Sequence, residues 1–374
     1  MTRLLNRLVL LGLLAAGTVL AGGSVGEQAR AGIPLDPRGV DPASPNPLAG
    51  LSLYVDHDSP AWAAWETYTR RGQTSKADLV WKIAREPRSL WFGPFTRPNF
   101  HFKVRRRIDA ARAVGAVPVF VVLRAQANRC SPTYQGGGPR EDRATRNWYD
   151  ALARAIGNDR VVLGFEPDSL GTIQCLARSR RDDRYRLLRY GVDVLSALPN
   201  LTIYLEAGAS DWESARRTAK QLRMIGIAKV RGFMLNATHY DWTAANIRHG
   251  LEISRLTGGK HFIINTAENG RGPVHYRRWI DRSRHRWRTI NVWCSPGLRG
   301  LGTPPTTETS NPMVDAYLWI NRPGFAQSCA GRPIDWYPPR ALSYARFATN
   351  WERPPRGTRY GHFKRYPLNA FGIP

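Results

Sequence analysis

The sequence predicts an α/β barrel of mainly parallel strands, on three observations. Apolar runs of strand length recur seven times, each followed by a polar or helical stretch, the alternation that builds parallel sheets. Several runs, such as Val161 to Phe165, are continuous rather than alternating, as when both faces of a sheet are covered. Polar or aromatic residues stand just past many of the runs, where a barrel's strand-to-helix loops share one rim.

In chain order, the predicted strands are Leu51 to Asp56, Val117 to Leu123, Val161 to Phe165, Leu201 to Glu206, Gly232 to Asn236, His261 to Asn265 and Val314 to Ile320. The clearest helical periodicities between them are Arg143 to Ile156, Asp183 to Leu198, Asp211 to Met224 and Thr243 to Leu256. Seven such units favour a closed or nearly closed barrel over a doubly wound sheet. A short helix is expected near Ala341 to Asn350, in a tail that packs across the barrel bottom. The rim would carry Asp56, His57 and Asp58, then Arg129, Asp168, Asp211 with Trp212, His239 with Tyr240, and Glu268 with Asn269.

The ends of the chain read differently. Arg3 and Arg7, an apolar run from Leu8 to Ala21 and the small residues up to Ala31 form an export signal over residues 1–31, cleaved after Ala31, with a retained anchor as the alternative. A Pro-rich linker covers 32–48, the barrel 49–352, and a basic aromatic tail 353–374. In an exported chain the four cysteines, Cys130, Cys175, Cys294 and Cys329, favour two disulfides, and their clustering favours neighbours in order among three possible pairings. No metal-ligand spacing and no cofactor motif is present.

With 55 basic and 29 acidic residues the formal charge is +26, and 48 of the basic residues are Arg. Such a surface attracts polyanions. The charge is scattered and no nucleic-acid motif accompanies it, so specific nucleic-acid binding is excluded in favour of an acidic polysaccharide or cell-envelope polymer. An Arg-rich solvated face is the plainer explanation.

The most informative segment is Glu166-Pro167-Asp168-Ser169-Leu170. Pro167 ends the preceding strand, so Asp168 stands half buried at a strand-to-loop corner, where a general acid would be placed. The alternative is that Asp168 caps the next helix.

Other segments extend the pattern: Ser89-Leu-Trp-Phe-Gly93, Tyr204-Leu-Glu-Ala-Gly208 with Trp212, Gly232-Phe-Met-Leu-Asn236 with Tyr240, Asn265-Thr266 with Asn269-Gly270, Trp293-Cys294, and Asp315-Ala-Tyr-Leu-Trp319 followed by Pro323-Gly324. On these, from about Leu51 to Asn350, the chain resembles glycoside hydrolase family 6, secreted β-1,4-glucanases of the endoglucanase and cellobiohydrolase type. The resemblance implies a distorted, seven-stranded, mainly parallel β/α barrel and hydrolysis with inversion. In that chemistry an acid protonates the leaving oxygen while a base about 6.5 to 9.5 Å away activates water on the opposite side.

By the same resemblance Asp168 is the acid, and Trp91, Trp212 and Trp293 stack against sugar rings, with His239 and Asn321 at substrate-contacting positions. One cysteine pair flanks the acid, and the other joins the Trp293 loop to the loop after the last strand. The chain departs from the family elsewhere. Leu123 stands for the catalytic tyrosine, Arg129 for the aspartate that holds the acid's proton, and Gln327 for the base, while Asn321 and Phe325 replace the gripping Lys and Glu. Asp56, Asp58 and Glu268 are the alternative bases. A monomeric secreted glycosidase acting on a β-glucan or related acidic polysaccharide is the leading expectation. The alternative is a non-catalytic carbohydrate-binding protein on the same scaffold.

Overall fold

The computed structural model describes residues 45–96, 99–125, 137–281, 283–292, 296–325 and 335–354. The signal at 1–31, most of the 32–48 linker and most of the tail from 353 lie outside them.

The elements, in chain order, are α1 (Pro60–Arg70), α2 (Thr74–Ala84), β1 (Leu90–Phe92), α3 (Phe100–Ala113), β2 (Val119–Val122), α4 (Pro139–Ile156), β3 (Val161–Phe165), α5 (Arg178–Leu195), β4 (Leu201–Glu206), α6 (Ala215–Ile225), β5 (Gly232–Leu235), α7 (Thr243–Leu256), β6 (His261–Asn265), β7 (His275–Asp281), β8 (Arg286–Asn291), β9 (Val314–Leu318) and α8 (Pro338–Arg346). Seven strands pair in parallel in the order β1-β2-β3-β4-β5-β6-β9, while β7 and β8 form a separate antiparallel hairpin. A single parallel bridge between Arg88 and Trp319 joins the two edge strands, with Ser89 N donating to Trp319 O at 3.0 Å. The sheet is thus the distorted seven-stranded barrel, curled round and closed at one seam by minimal pairing.

Both faces of the sheet are covered, which is why the strands read as unbroken apolar runs. Val121, Val162, Tyr204, Met234, Ile263 and Ala316 fill the interior, and Phe120, Leu163, Phe165, Leu205, Phe233 and Phe262 face the surrounding helices. At the end where β5, β6 and β9 begin, Asp315 is fully buried and tied to Arg231 by two contacts of 2.8 Å and to Tyr204 Oη at 2.6 Å. Burial raises its carboxyl, but the bonds from Arg231, His261 and Tyr204 outweigh it and hold the group below its usual range. The opposite end is the rim.

The first predicted strand is corrected. Of Leu51 to Asp56 only Leu53 bridges, to Val117 below β2, because Ser59 then caps α1 by accepting from Trp62 N at 3.2 Å. The first barrel strand is Leu90–Phe92, too short to show a period. Helix α6 starts at Ala215 rather than Asp211, since Ser214 is its N-cap, and this leaves Asp211 and Trp212 in the rim loop. The last helix lies at the rim, not the bottom: Arg340 reaches Tyr240 and Glu268, which follow β5 and β6. Among the described residues no helix is long and apolar enough to cross a membrane.

Candidate active site

The segment after β3 is bent twice. Glu166 and Asp168 both take left-handed backbone conformations, φ 57° and 64°, on either side of Pro167. Each costs a non-glycine residue about 1 to 3 kcal/mol and persists only where surroundings over-determine it. Here they do. The buried Glu166 carboxylate accepts from Arg124 N (2.9 Å), Ala125 N (2.7 Å) and Tyr149 Oη (2.7 Å), which ties the bend to the end of β2 and to α4. Burial raises the Glu166 carboxyl, partly offset by these donors. Thr172 donates to Asp168 O through both its amide (2.9 Å) and its hydroxyl (2.6 Å).

The Asp168 side chain is half buried, and its Oδ1 accepts from Thr238 Oγ1, across the rim after β5. It is not a helix cap. The 3-10 turn Ile173–Cys175 and helix α5 have Thr172 and Ala177 at their N-caps, neither with a side-chain cap bond.

Glu206, the last residue of β4, stands next to Asp168 electrostatically. Only 2% exposed, it accepts from Leu170 N (3.1 Å) and Gly208 N (2.8 Å). Burial, then the negative charge of Asp168, push its carboxyl up to about 8, so Glu206 holds a proton at neutral pH. His239 lies beside both. Burial works against its charge, but Asp211 at 2.8 Å, with Asp168 and Glu206 near, raises it above the ordinary histidine value. Its ring stacks on Trp212 with centroids 4.9 Å apart. Gly171 gives the Trp212 indole its room: a Cβ there would lie 2.4 Å from Trp212 Cζ2. The loop is fixed from behind, because Asn236, Asn246 and Asn269 all donate to Asp241 O at 3.0 to 3.3 Å.

A second group lies at the β1/β9 seam. Trp91, half exposed, donates from Nε1 to Ile320 O at 2.8 Å. Asn321 donates to Glu268 Oε2 at 2.7 Å, and Arg340 meets Glu268 Oε1 at 3.3 Å. Of the three alternative bases only Glu268 is on the rim. Asp56 and Asp58 follow the bridge at the foot of β2 and pair with Arg107 and Arg106 of α3 at 2.6 Å each. Leu123 follows β2, its amide donating to Phe92 O.

The structure therefore brings together Asp168, Trp212 and His239, and separately Trp91 with Asn321. Cys175 is buried. Trp293, Arg129, Gln327, Cys130, Cys294 and Cys329 lie outside the described residues. Sequence reasoning placed Asp211 on the rim but missed Glu206 and Thr238. The signal for Glu206 was a carboxylic acid closing an apolar strand, the same signal that singled out Asp168; Thr238 carries none.

The sequence profile described as Glycosyl hydrolases family 6 matches residues 48–333, about three quarters of the chain. The chain belongs to glycosyl hydrolase family 6. Among family 6 relatives, Endoglucanase A of Cellulomonas fimi is 32% identical over 310 residues, 81% of this chain and 62% of its own length. The chain thus spans under two thirds of that relative. Endoglucanase A of Thermobispora bispora is 29% identical over 324 residues, 85% of this chain and 67% of its own. The solved structure of the endoglucanase Cel6 from Mycobacterium tuberculosis, in complex with a methyl-cellobiosyl-4-deoxy-4-thio-β-D-cellobioside, superposes with a TM-score of 0.70 at 34% identity, covering 81% of this chain and 99% of that one. Endoglucanase CEL6B from Humicola insolens, 20% identical with a TM-score of 0.66 and covering 81% and 99%, shares the fold.

Proposed function

We propose that the protein is a secreted, monomeric glycosidase that cleaves β-1,4-glucan or a related acidic polysaccharide with inversion, Asp168 acting as general acid. The observation that carries this reading is the strained, over-determined bend that presents Asp168 beside a protonated Glu206. The sugar chain lies across Trp91, Trp212 and Trp293, with His239 and Asn321 contacting its hydroxyls. Asp168 protonates the glycosidic oxygen as the C–O bond breaks, and water adds to the anomeric carbon from the opposite face.

Glu206 and Asp168 are coupled carboxyls: the negative charge of Asp168 favours the protonated form of Glu206, so one proton is held at this pair at neutral pH. With Gln327 at the usual base position, the water's proton passes through a water chain to Glu268, the one alternative base on the rim. In the proposed layout residues 1–31 are an export signal, 32–48 a linker, 49–352 the catalytic barrel and 353–374 a basic tail. Cys130 pairs with Cys175 and Cys294 with Cys329. The family membership and the endoglucanase names of the relatives support the substrate class.

The test is reducing-end release by purified protein from carboxymethylcellulose, mixed-linkage glucan and acidic polysaccharides, with the first product followed by proton NMR. The α-anomer should appear first. Release that survives Asp168→Asn sinks the assigned role, and binding without turnover on the whole panel favours the carbohydrate-binding alternative.

A further inference from the structure

The loop after β9 carries a cation that the glycosidase chemistry does not use. The Arg322 guanidinium lies 5.3 Å from the Trp91 ring centroid and 4.6 Å from that of Phe325. Its Nε is buried with no hydrogen-bond partner. Arg88, 8% exposed at the entry to β1, is within electrostatic reach of it. Among the described residues neither guanidinium makes an ion pair. The nearby carboxylates are engaged elsewhere: Asp56 with Arg107, and Glu268 with Arg340 and Asn321. Burial lowers both arginines to about 10, and for Arg322 the charge of Arg88 adds to it. Both still stay charged at neutral pH.

This is unlike Arg231 and Arg340, which meet carboxylates directly. Arg231 grips Asp315 with two bonds, and Arg340 meets Glu268. The buried Arg88 and half-buried Arg322 feel Asp56 and Glu268 only at longer range, with no carboxylate among the described residues hydrogen-bonded to either, and desolvated charges held that way are costly. A binding site recovers that cost when an anion arrives, because a carboxylate accepts two parallel bonds from a guanidinium fork. The place is specific. Trp91 and Ser89 both donate to Ile320 O, so the ring and the Arg322 loop are held as one unit.

We propose that Arg88 and Arg322 form a carboxylate-recognition subsite beside Trp91, which selects β-1,4-linked chains containing uronate units over neutral glucan. The proposal rests on the glycosidase reading for the path of the chain across Trp91. Because the Arg322 guanidinium lies over the Trp91 ring, a pyranose unit at this position meets the guanidinium, and an exocyclic carboxylate on it reaches the guanidinium's donors. Phe325, where the family has a glutamate, backs the guanidinium instead of repelling an acidic sugar. The overall charge of +26 draws such a polyanion in, and the subsite sets its register.

The experiment is calorimetric binding of cellotetraose and of its fully C6-oxidised counterpart to the full chain carrying Asp168→Asn, alone and with Arg322→Gln, Arg88→Gln or Arg322→Lys. We expect the oxidised ligand to bind at least about tenfold tighter (~1.4 kcal/mol). Either glutamine substitution should collapse that ratio toward one and leave the cellotetraose affinity unchanged, which also reports an intact fold. Arg322→Lys should keep part of the preference. Equal affinity for the two ligands, or a preference that survives both glutamine substitutions, overturns the proposal. So does an equal loss of affinity for inorganic polyphosphate, which signals general charge attraction. The parent activity is read separately in protein with Asp168 restored. Preference without reducing-end release from either polymer would overturn the hydrolase and leave the subsite, whereas release without preference would do the reverse.

Discussion

Glu206→Gln should flatten a pH dependence of stability that the native protein carries at this position. The sign follows from the direction of the shift. The carboxyl is raised from 4.5 to about 8, so between those values the folded chain holds a proton that the unfolded chain has released. Stability from this group is therefore full below about 4.5, falls as pH rises, and is lost above about 8. A change from 4.5 to about 8 corresponds to on the order of 5 kcal/mol. Because Glu206 is 2% exposed, solvent screening removes little of that.

The assay is urea denaturation of both proteins at several pH values from 5 to about 9, taking the difference so that His239, Glu166 and the other groups cancel. The native advantage over Glu206→Gln should shrink steadily across that range. Burial outweighs the Asp168 charge as the cause, so Asp168→Asn should keep more than half of the native slope. A difference that stays flat with pH would refute the reasoning, and a slope abolished by Asp168→Asn would mean that the neighbouring charge, not burial, dominates.

Two further outcomes follow from contacts at the rim. Gly171→Ala places a Cβ 2.4 Å from the Trp212 indole, which must move; KM for a soluble glucan should rise about two- to tenfold, as for the loss of one aromatic contact, and an unchanged KM would count against Trp212 as a sugar platform. Arg340→Met strands Glu268, 1% exposed, and should destabilise by about 3 to 5 kcal/mol at neutral pH and by less in acid, where Glu268 takes a proton; denaturation at the two pH values checks both.

The barrel was legible because β2, β3, β5, β6 and β9 are buried on both faces and so leave continuous apolar runs. β1 was not, since three residues carry no period, and Leu51 to Asp56 has strand composition but turns away after one bridge. The hairpin of β7 and β8 was missed because its sequence, rich in Arg with interspersed aromatics, lacks the alternation of a half-buried pair. At the site, Asp168 could be found because Pro167 marks a forced strand end. Its dependence on Thr238 and Glu206 could not, because those contacts join loops 70 and 36 to 38 residues away in the chain.

The most direct test of Asp168 as proton donor compares two leaving groups. Hydrolysis of a cello-oligosaccharide, whose leaving oxygen must be protonated, and of an aryl cellobioside with a dinitrophenolate leaving group, which needs no proton, is measured for the native chain and for Asp168→Asn. General acid catalysis supplies about 10² to 10⁴ of rate, so the substitution should cost the oligosaccharide that much and the aryl substrate far less. Equal losses for both substrates, or no loss for the oligosaccharide, would contradict the assignment.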